Sequence, residues 1–471
     1  MDTSAKEVQG GGVEWRVRVP QSSSVVVESQ PWAWLAGIVL AVVSKAVGFG
    51  GKAWSVAADD PRRVVHGVKV GTGLTLVSLF YYTRPLYDGV GGWAMWAVMT
   101  VVVVFEYTVG GCLCKGFNRA IATSTAGLLA VGIHWVASKS GEKAEPVILS
   151  ASVFILASAA TFSRFIPAIK ARFDYGITIF ILTFSLVAVS GYRVDQLLQL
   201  AQERVYTISI GVGICLLVCV LVCPVWAGQE LHLLVSGNLE KLADSLEGLV
   251  EECFMADEAK EEGKQLPSAK SQGYKCVLNS KATEDSQANL AKWEPGHGRF
   301  RFRHPWSQYL KVAAAMRYCA YCMEAFNGCI SSETTEDMKS HLRESCVKLS
   351  SDSSKILREL SSSIKSMKES RSIQSLVVEM KNGVQELQVA LRSLPTNHVK
   401  KHRATVSLME AMPVVTAASL LIEVSDRIEG VVEAVGLLGR LASFEPTDRK
   451  KASSSPVVPQ DESVRPQPQE V

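Results

Sequence analysis

Two hydrophobicity patterns divide the chain. Residues 64–227 contain long apolar runs with few charges, whereas residues 228–471 mix apolar and charged positions. Six apolar segments have approximately the length that a helix needs to cross a bilayer: 64–82, 91–111, 120–137, 146–165, 176–191 and 205–227. Their apolar residues run continuously rather than in alternation, which excludes a membrane β-barrel and predicts six membrane-spanning helices.

The segment before these runs is shorter. The apolar stretch PWAWLAGIVLAVV (31–43) ends close to Lys45 and falls short of the roughly 20 residues of a span, so we predict an interfacial or packing segment, with a spanning role as the less favoured alternative. Residues 1–30 are polar and have no signal-peptide pattern. We therefore assign residues 1–51 to an N-terminal extension, partly disordered or interfacial, and residues 52–228 to a six-span membrane domain.

Beyond Trp226 the pattern becomes amphipathic. Apolar residues recur at steps of three and four, as in Ile373, Leu376, Val377, Met380, Val384, Leu387 and Leu391. Such stripes predict helices packed in a bundle, and the short apolar run 411–424 is interpreted as one of its buried helices. The predicted fold is an all-α membrane protein with six transmembrane helices per subunit and a C-terminal cytosolic helical bundle, formed by residues 229–256 and 291–445.

Two segments of the C-terminal half lack this periodicity. Residues 257–290 are charged and rich in serine, which predicts a flexible linker, and residues 446–471 have the Pro, Gln and Ser content of a disordered tail. Cations in the loops are more frequent on the side of the N-terminus, so we expect that terminus in the cytosol. An even number of spans then places the C-terminus there as well.

Composition excludes several classes of function. The formal net charge is only +3 and the basic residues are scattered, which argues against a nucleic-acid partner. There is no phosphate-binding loop, serine-hydrolase elbow or paired zinc motif, so we predict no enzymatic activity, no cofactor and no bound metal.

Ionisable residues inside predicted spans are candidates for function, because they are costly in hydrocarbon. Glu106 lies thirteen residues beyond Trp93, which corresponds to roughly 20 Å of helix in a core about 30 Å thick. We expect it to bind a proton, face water or pair with a cation. Lys69 and Arg119 are candidate partners, and the sequence does not choose between them.

The other charges of this region are mostly positive. Rings of Lys or Arg select anions in pores, and the guanidinium group matches a carboxylate. The alternative assigns these cations to the positive-inside rule and to lipid headgroups, and for Lys170 the two interpretations are balanced. We predict an anion pathway drawn from Lys115, Arg119, Arg164, Lys170, Arg193 and Arg204.

A further basic segment, WEPGHGRFRFRHPW (293–306), precedes the bundle. Arg299, Arg301 and Arg303 alternate with Phe300 and Phe302, so an extended chain would place the arginines on one face. We favour a docking strand whose arginines pair with acidic helices. Contact with anionic headgroups or an anionic ligand is the alternative.

Several long motifs occur together in a recognisable order. They are DPRRVVHGVKVG (60–71), WAVMTVVVVFEYTVG (96–110), KGFNRA (115–120), FDYGITIFILTFSLVAVSGYR (173–193), CPVWAG (223–228) and WEP (293–295). Over roughly residues 52–445 the sequence resembles the plant aluminium-activated malate transporter family. The resemblance implies a homodimeric channel in the lipid bilayer that passes malate and other anions, with chloride and nitrate as candidates.

The resemblance also implies residue roles. The basic pore positions of the family correspond to Arg119, Arg193 and Arg204, and Glu106 is expected to be structural or to tune conductance, as is Lys69. The WEP motif (Trp293, Glu294 and Pro295) and the three arginines that follow it are expected to regulate the channel from the cytosol. An alternating-access exporter of organic or aromatic acids remains the alternative. A plasma-membrane location is preferred over the vacuolar membrane.

Aluminium activation does not follow from the family name. Al³⁺ is a hard cation that prefers oxygen ligands, and the loop between the last two predicted spans offers only Asp195 and Glu203. We therefore expect little or no dependence of the current on aluminium.

Overall fold

The computed structural model describes residues 31–84, 94–191, 197–261, 271–330, 336–401 and 408–446. The chain divides into two units, Met1–Gly67 and Val68–Val471. The first half contains helices α1 Pro31–Asp59, α2 Pro61–Tyr82, α3 Ala94–Val104, α4 Val109–Lys139, α5 Glu145–Ser163, α6 Pro167–Gly191 and α7 Leu197–Leu221.

The C-terminal half is also helical. It comprises α8 Ala227–Glu261, α9 Tyr274–Asn279, α10 Lys281–Ala291, α11 Trp306–Ile330, α12 Glu336–Ser366, α13 Ser372–Lys401 and α14 Leu408–Ala442. Two strands of two residues each, β1 Lys368–Glu369 and β2 Glu445–Pro446, pair in parallel. The predicted all-α fold is confirmed.

Six of the described helices are long and apolar enough to cross a membrane, namely α1, α2 and α4–α7. This number agrees with the prediction, but the set differs. The interfacial assignment of residues 31–43 is wrong, because α1 continues through the Gly- and Ala-rich segment that follows and ends only before Pro61. Residues 38–59 of α1 are long and apolar enough to cross a membrane, so residues 38–51 form part of a candidate span rather than of an extension.

The predicted second span, 91–111, is also wrong. Helix α3 ends at Val104, residues 105–108 are not helical, and α4 begins at Val109. Thr108 caps the new helix by accepting a hydrogen bond from the Gly111 amide at 3.1 Å. Helix α4 then runs through the predicted loop at 112–119, which contains no proline to stop it.

Close approaches fix how α3, α4 and α7 pack. A Cβ atom on Gly116 of α4 would lie 2.8 Å from a Val212 methyl group, and one on Gly211 of α7 would lie 2.8 Å from Thr100 of α3. Small residues allow membrane helices to approach closely in this way. Buried residues of these helices form one core, and α4 and α6 share a second around Ala126 and Phe184.

The amphipathic stripes behave as predicted. Met380 and Leu387 of α13 are buried, and the other stripe residues pack against the same core. The run 411–424 lies inside α14, where Ala418 and Leu421 are fully buried. The C-terminal helices thus share a single apolar core that joins α8, α11, α12 and α14.

The flexible-linker prediction is wrong for the end of the segment 257–290. Helices α9 and α10 lie there, with Tyr274 and Val277 buried. Glu284 is completely buried, where it pairs with Arg317 of α11 and accepts a hydrogen bond from Ser280 at 2.6 Å. The charged residues of this segment suggested that it is exposed to solvent, because a partner as distant in sequence as Arg317 cannot be recognised from local composition. The predicted tail lies outside the described residues, apart from Pro446.

Candidate functional site

Glu106 lies in the break between α3 and α4. Its carboxylate pairs with the Lys115 ammonium group in the second turn of α4, and the two side chains are 37% and 33% exposed. Neither predicted partner, Lys69 or Arg119, takes this role. The depth of 20 Å derived from a continuous helix is also wrong, since α3 ends at Val104. Lys115 was predicted as a pathway residue, but its role as the partner of Glu106 was missed because its position was assigned to a loop.

Arg119 lies one turn further along α4 and is buried, with 6% of its surface exposed. Its Nη1 donates a hydrogen bond to the Tyr175 hydroxyl of α6 at 3.3 Å, and the Lys115 Nζ lies 5.6 Å from the ring centroid of the same tyrosine. Within the described ranges Nε of Arg119 has no hydrogen-bond partner, and no carboxylate pairs with the group. A buried cation without an acid is costly unless an anion or water accompanies it.

Arg204, near the start of α7, has the same character. It is 6% exposed, and its guanidinium carbon lies 4.1 Å from the ring centroid of Trp96, which is a cation–π contact. Among the residues that the structure describes, Nε of Arg204 is likewise unpartnered. Sequence analysis identified both arginines but missed Tyr175 and Trp96, whose contacts come from other helices.

Helices α4 and α7 are antiparallel neighbours. The Val109 amide donates to the Val225 carbonyl at 2.9 Å at one end, and Gly116 faces Val212 further along. At 1.5 Å per residue, Arg119 lies about 15 Å from the start of α4 and Arg204 about 26 Å from the end of α7. The two buried arginines therefore occupy different depths of one helix pair.

Of the other predicted pathway residues, Arg164 is paired with an acid and Lys170 is exposed. Arg164 forms a two-bond ion pair with Asp174, at 2.7 Å through Nε and 3.1 Å through Nη2. Asp174 was not anticipated, and it removes much of the reason to assign Arg164 to an anion pathway. Lys170 is exposed, which fits a headgroup contact. Arg193 lies outside the described residues.

Lys69 has a structural contact. Its side chain is 1% exposed, and Nζ donates to the Cys223 carbonyl at 2.8 Å, just beyond the end of α7. A cation stabilises the negative end of a helix, where the last carbonyls have no intrahelical partner. Lys69 therefore fixes α2 to the end of α7.

Glu294 of the WEP motif joins the two halves of the chain. Its carboxylate is buried and accepts three backbone N–H bonds, from Gly110 at 3.2 Å, Ala227 at 2.6 Å and Gly228 at 3.0 Å. These donors belong to the first turns of α4 and α8, where amide groups lack intrahelical partners. One acid thus caps a membrane helix and the first C-terminal helix. Burial raises the pKa of Glu294, and the hydrogen bonds from the helix amides oppose that rise.

Comparison with known proteins shows which family the sequence matches. The family model described as Aluminium activated malate transporter matches residues 54–404. The chain belongs to this family. Aluminum-activated malate transporter 10 of Arabidopsis thaliana is 50% identical over 95% of this chain and 97% of its own length. Aluminum-activated malate transporter 1 of Triticum aestivum is 46% identical over 88% of this chain and 90% of its own.

In this member of the aluminium-activated malate transporter family, the WEP segment contacts the ends of membrane helices through aromatic rings. The Trp293 ring lies 5.4 Å from that of Phe117 on α4, and His297 stacks on Trp226 at 3.9 Å. Gly110 permits the approach, since a Cβ there would lie 2.5 Å from the Leu290 carbonyl oxygen.

The segment after the WEP motif is a turn, so the predicted extended strand is wrong. Gly298 and Arg303 have positive φ angles of 55° and 65°. Phe300 packs against the C-terminal core, whereas Phe302 is 70% exposed, so the two rings do not share a face.

The arginines of this turn do not pair with acidic helices. Arg299 donates to the Ser366 carbonyl at 3.0 Å and Arg301 to the Ser443 hydroxyl at 3.4 Å. In the described part of the chain none of Arg299, Arg301 and Arg303 forms an ion pair, so the favoured docking interpretation is wrong. Within the same ranges no group of three or more His, Cys, Asp or Glu residues could hold a metal ion.

Proposed function

We propose that this protein is a channel for malate and other small anions. The observation that carries the proposal is the pair of buried arginines, Arg119 and Arg204, which lack acid partners among the described residues and occupy different depths. Membership of the family, whose relatives are named malate transporters, supports the choice of malate.

The arrangement suits conduction rather than tight binding. Each guanidinium offers a fork of N–H donors to a carboxylate, and two separated sites let an ion leave one as it reaches the next. Malate carries two charges, so an electrical potential of 100 mV contributes about 4.6 kcal/mol to its movement. Lys115 contributes less positive potential than the arginines, because Glu106 neutralises it.

The finer features of the proposal rest on the resemblance and on the charge pattern. They are a homodimer, conduction of chloride and nitrate, and cytosolic termini in the plasma membrane, with the vacuolar membrane as the alternative. Transport follows the electrochemical gradient and needs no enzymatic step. Aluminium is expected to change the current little.

The test is anion current in a voltage-clamped cell with malate on one side. Arg119→Gln and Arg204→Gln should each reduce the malate current at equal surface protein by about tenfold, the effect of roughly 1.4 kcal/mol. Arg119→Lys should keep more current because it retains the charge. Arg172→Gln, at an exposed cation of α6, is the matched control. Normal malate currents in both glutamine variants would refute the assignment.

An alternating-access carrier is the second candidate, because such carriers use interrupted helices. The break between α3 and α4 is such an interruption, but Val109 and Gly110 at its end contact Val225 and Glu294, next to the start of α8. Single-channel current steps would support the channel. Exchange of anions at a fixed stoichiometry would support the carrier.

A further inference from the structure

A cavity of about 330 Å³ lies beside the WEP motif and is separate from the buried arginines of α4 and α7. Its size falls at the lower end of the range for small-molecule sites. Aromatic and basic side chains share its lining, which includes Lys292, His297, Phe300, Arg301, Arg303 and Trp306.

The cavity is lined by basic side chains whose positive charge can attract an anionic ligand. Lys292, Arg301 and Arg303 are exposed and form no ion pair with any described residue. Glu294, the acid in the wall, is already bonded to three helix amides. Burial lowers the pKa of His304 to about 4, so this histidine is neutral at pH 7 and the positive charge comes from Lys292 and the arginines.

One polar atom of the lining is unused. The Nδ1 atom of His297 contacts the Pro295 carbonyl oxygen at 3.0 Å, which makes Nδ1 the donor. Nε2 is buried and has no hydrogen-bond partner in the described part of the chain. Nε2 is therefore an acceptor, which a hydroxyl group of a bound ligand or a bound water can satisfy, whereas a phosphate oxygen cannot.

The cavity lies next to the membrane helices. His297 stacks on Trp226, five residues beyond the end of α7, and Trp293 contacts Phe117 of α4. Phe302 is 70% exposed between Arg301 and Arg303. An exposed aromatic ring flanked by cations is typical of segments that contact the boundary between headgroups and acyl chains.

The backbone of the turn at residues 301–303 has an unusual conformation. Arg303 has a φ of 65°, a left-handed conformation that side chains other than glycine adopt rarely. Arg301 is held from the other side by its bond to Ser443. The result is that Arg301, Phe302 and Arg303 project from one turn instead of alternating across a strand.

We propose that this cavity binds the phosphate of an anionic phospholipid headgroup, with Phe302 contacting the lipid beside it. Phosphate oxygens accept paired bonds from guanidinium groups, and aromatic walls cover the remaining surface of the headgroup. Glu294 lines the same cavity and caps α4, which carries Arg119. Occupancy therefore regulates the anion current through the first turn of α4, and this regulatory step rests on the proposed channel function.

Binding is tested on the full-length protein in detergent by its unfolding temperature. Dioctanoyl phosphatidylinositol phosphate should raise this temperature by several degrees at about a hundred times its dissociation constant. Dioctanoyl phosphatidylcholine should not. An equal rise with inorganic phosphate alone would overturn the lipid source, because it would show that a free anion suffices.

Substitutions distinguish binding in this cavity from a general attraction of anionic lipids to basic surfaces. R301Q/R303Q should weaken binding of the phosphoinositide about tenfold or more, and Phe302→Ser should weaken lipid binding without changing the response to inorganic phosphate. R392Q/R440Q removes two exposed cations elsewhere and should bind normally. Equal loss of binding in this control would overturn the site.

Regulation is tested in excised patches. The phosphoinositide should change the malate current at least twofold in the wild type and leave R301Q/R303Q unchanged. Binding together with an unaltered current would refute the regulatory step while the channel stands. Binding by a protein that passes no anion would refute the proposed function and leave the lipid site intact.

Discussion

Arg119 and Glu106 show how position, rather than residue type, decides the role of a charge. Arg119 is buried and bonded to the Tyr175 hydroxyl, without a carboxylate partner in the described residues. Glu106 is partly exposed and paired with Lys115. The acid therefore reduces the positive potential near Arg119, which gives it a tuning role in the proposed pathway.

Neutralising the acid of this pair and neutralising its base should change the malate current in opposite directions. Glu106→Gln should raise the malate current, because it releases the positive charge of Lys115, and Lys115→Gln should lower it. One charge at about 10 Å contributes on the order of 1 kcal/mol, or about fivefold in current.

The double variant is the control for these two single substitutions. E106Q/K115Q removes both charges and should conduct within about twofold of the wild type, since the net charge is restored. Currents at equal surface protein are the measurement. A change of the same sign in both single variants would contradict the electrostatic explanation.

A second residue-scale prediction concerns pH. Burial lowers the pKa values of His232 and His304 to about 4, and both rings contact the Tyr309 hydroxyl, at 2.9 Å and 3.3 Å. Their depressed pKa values contribute stability that is present above about pH 6.5 and lost as the pH falls towards 4. Each histidine should lower the free energy of unfolding by about 2 kcal/mol between pH 7.5 and pH 5.

The unfolding temperature as a function of pH measures this effect. H232Q/H304Q should flatten the profile between pH 7.5 and pH 5, because the variant has no buried imidazole to protonate there. His341→Gln, at an exposed histidine, should keep the wild-type slope. An unchanged slope in the double variant would show that other groups cause the loss of stability.

At the scale of elements, several contacts hold the start of α4 in place. Thr108 and Glu294 each accept a hydrogen bond from its first turn, and the Val109 amide donates to Val225. Gly110 lies against the Leu290 carbonyl, where no side chain fits. The position of α4, and with it Arg119, depends on this contact with the C-terminal half.

Gly110→Ala should disturb that contact. The new Cβ would lie 2.5 Å from the Leu290 oxygen and 2.9 Å from a Glu294 oxygen, so the two segments must separate. We expect a loss of about 1–3 kcal/mol in stability and a reduced malate current.

The matched control lies on the same helix. A Cβ at Gly132 would meet nothing within 4 Å, so Gly132→Ala should be neutral or slightly stabilising. Unfolding temperature and current are measured for both variants. Equal behaviour of the two would show that the contact at Gly110 is unimportant.

At the scale of the whole molecule, the C-terminal half completes the membrane helices. Glu294 caps α4 from a position that is 184 residues away in sequence, and the same carboxylate caps α8. The C-terminal helices therefore help to position α4, which carries Arg119 of the proposed pathway.

Truncation tests this dependence. A chain ending at Gly228 loses Glu294 and should lose the anion current and much of its yield, because the Gly110 amide of α4 is left without an acceptor and the contacts of the WEP segment with α4 are lost. A chain ending at Pro446 keeps every described contact and should conduct normally. Full current from the shorter chain would refute a structural role for the C-terminal half.

The sequence by itself determined the features that depend on neighbouring residues. Continuous apolar runs identified membrane helices, and stripes such as Met380 and Leu387 identified the helical bundle, because hydropathy and periodicity are local properties. The motifs from KGFNRA to WEP identified the family, since they are read directly from the chain. Arg119 and Arg204 were also found in this way.

Only the tertiary structure decided the features that depend on distant partners. Lys115 pairs with Glu106 because α4 begins earlier than the apolar pattern indicated, and Asp174 neutralises Arg164 across a turn. The three bonds of Glu294 join residues separated by 66 to 184 positions. Charge pairing and burial act through space, so a one-dimensional pattern of polarity does not determine them.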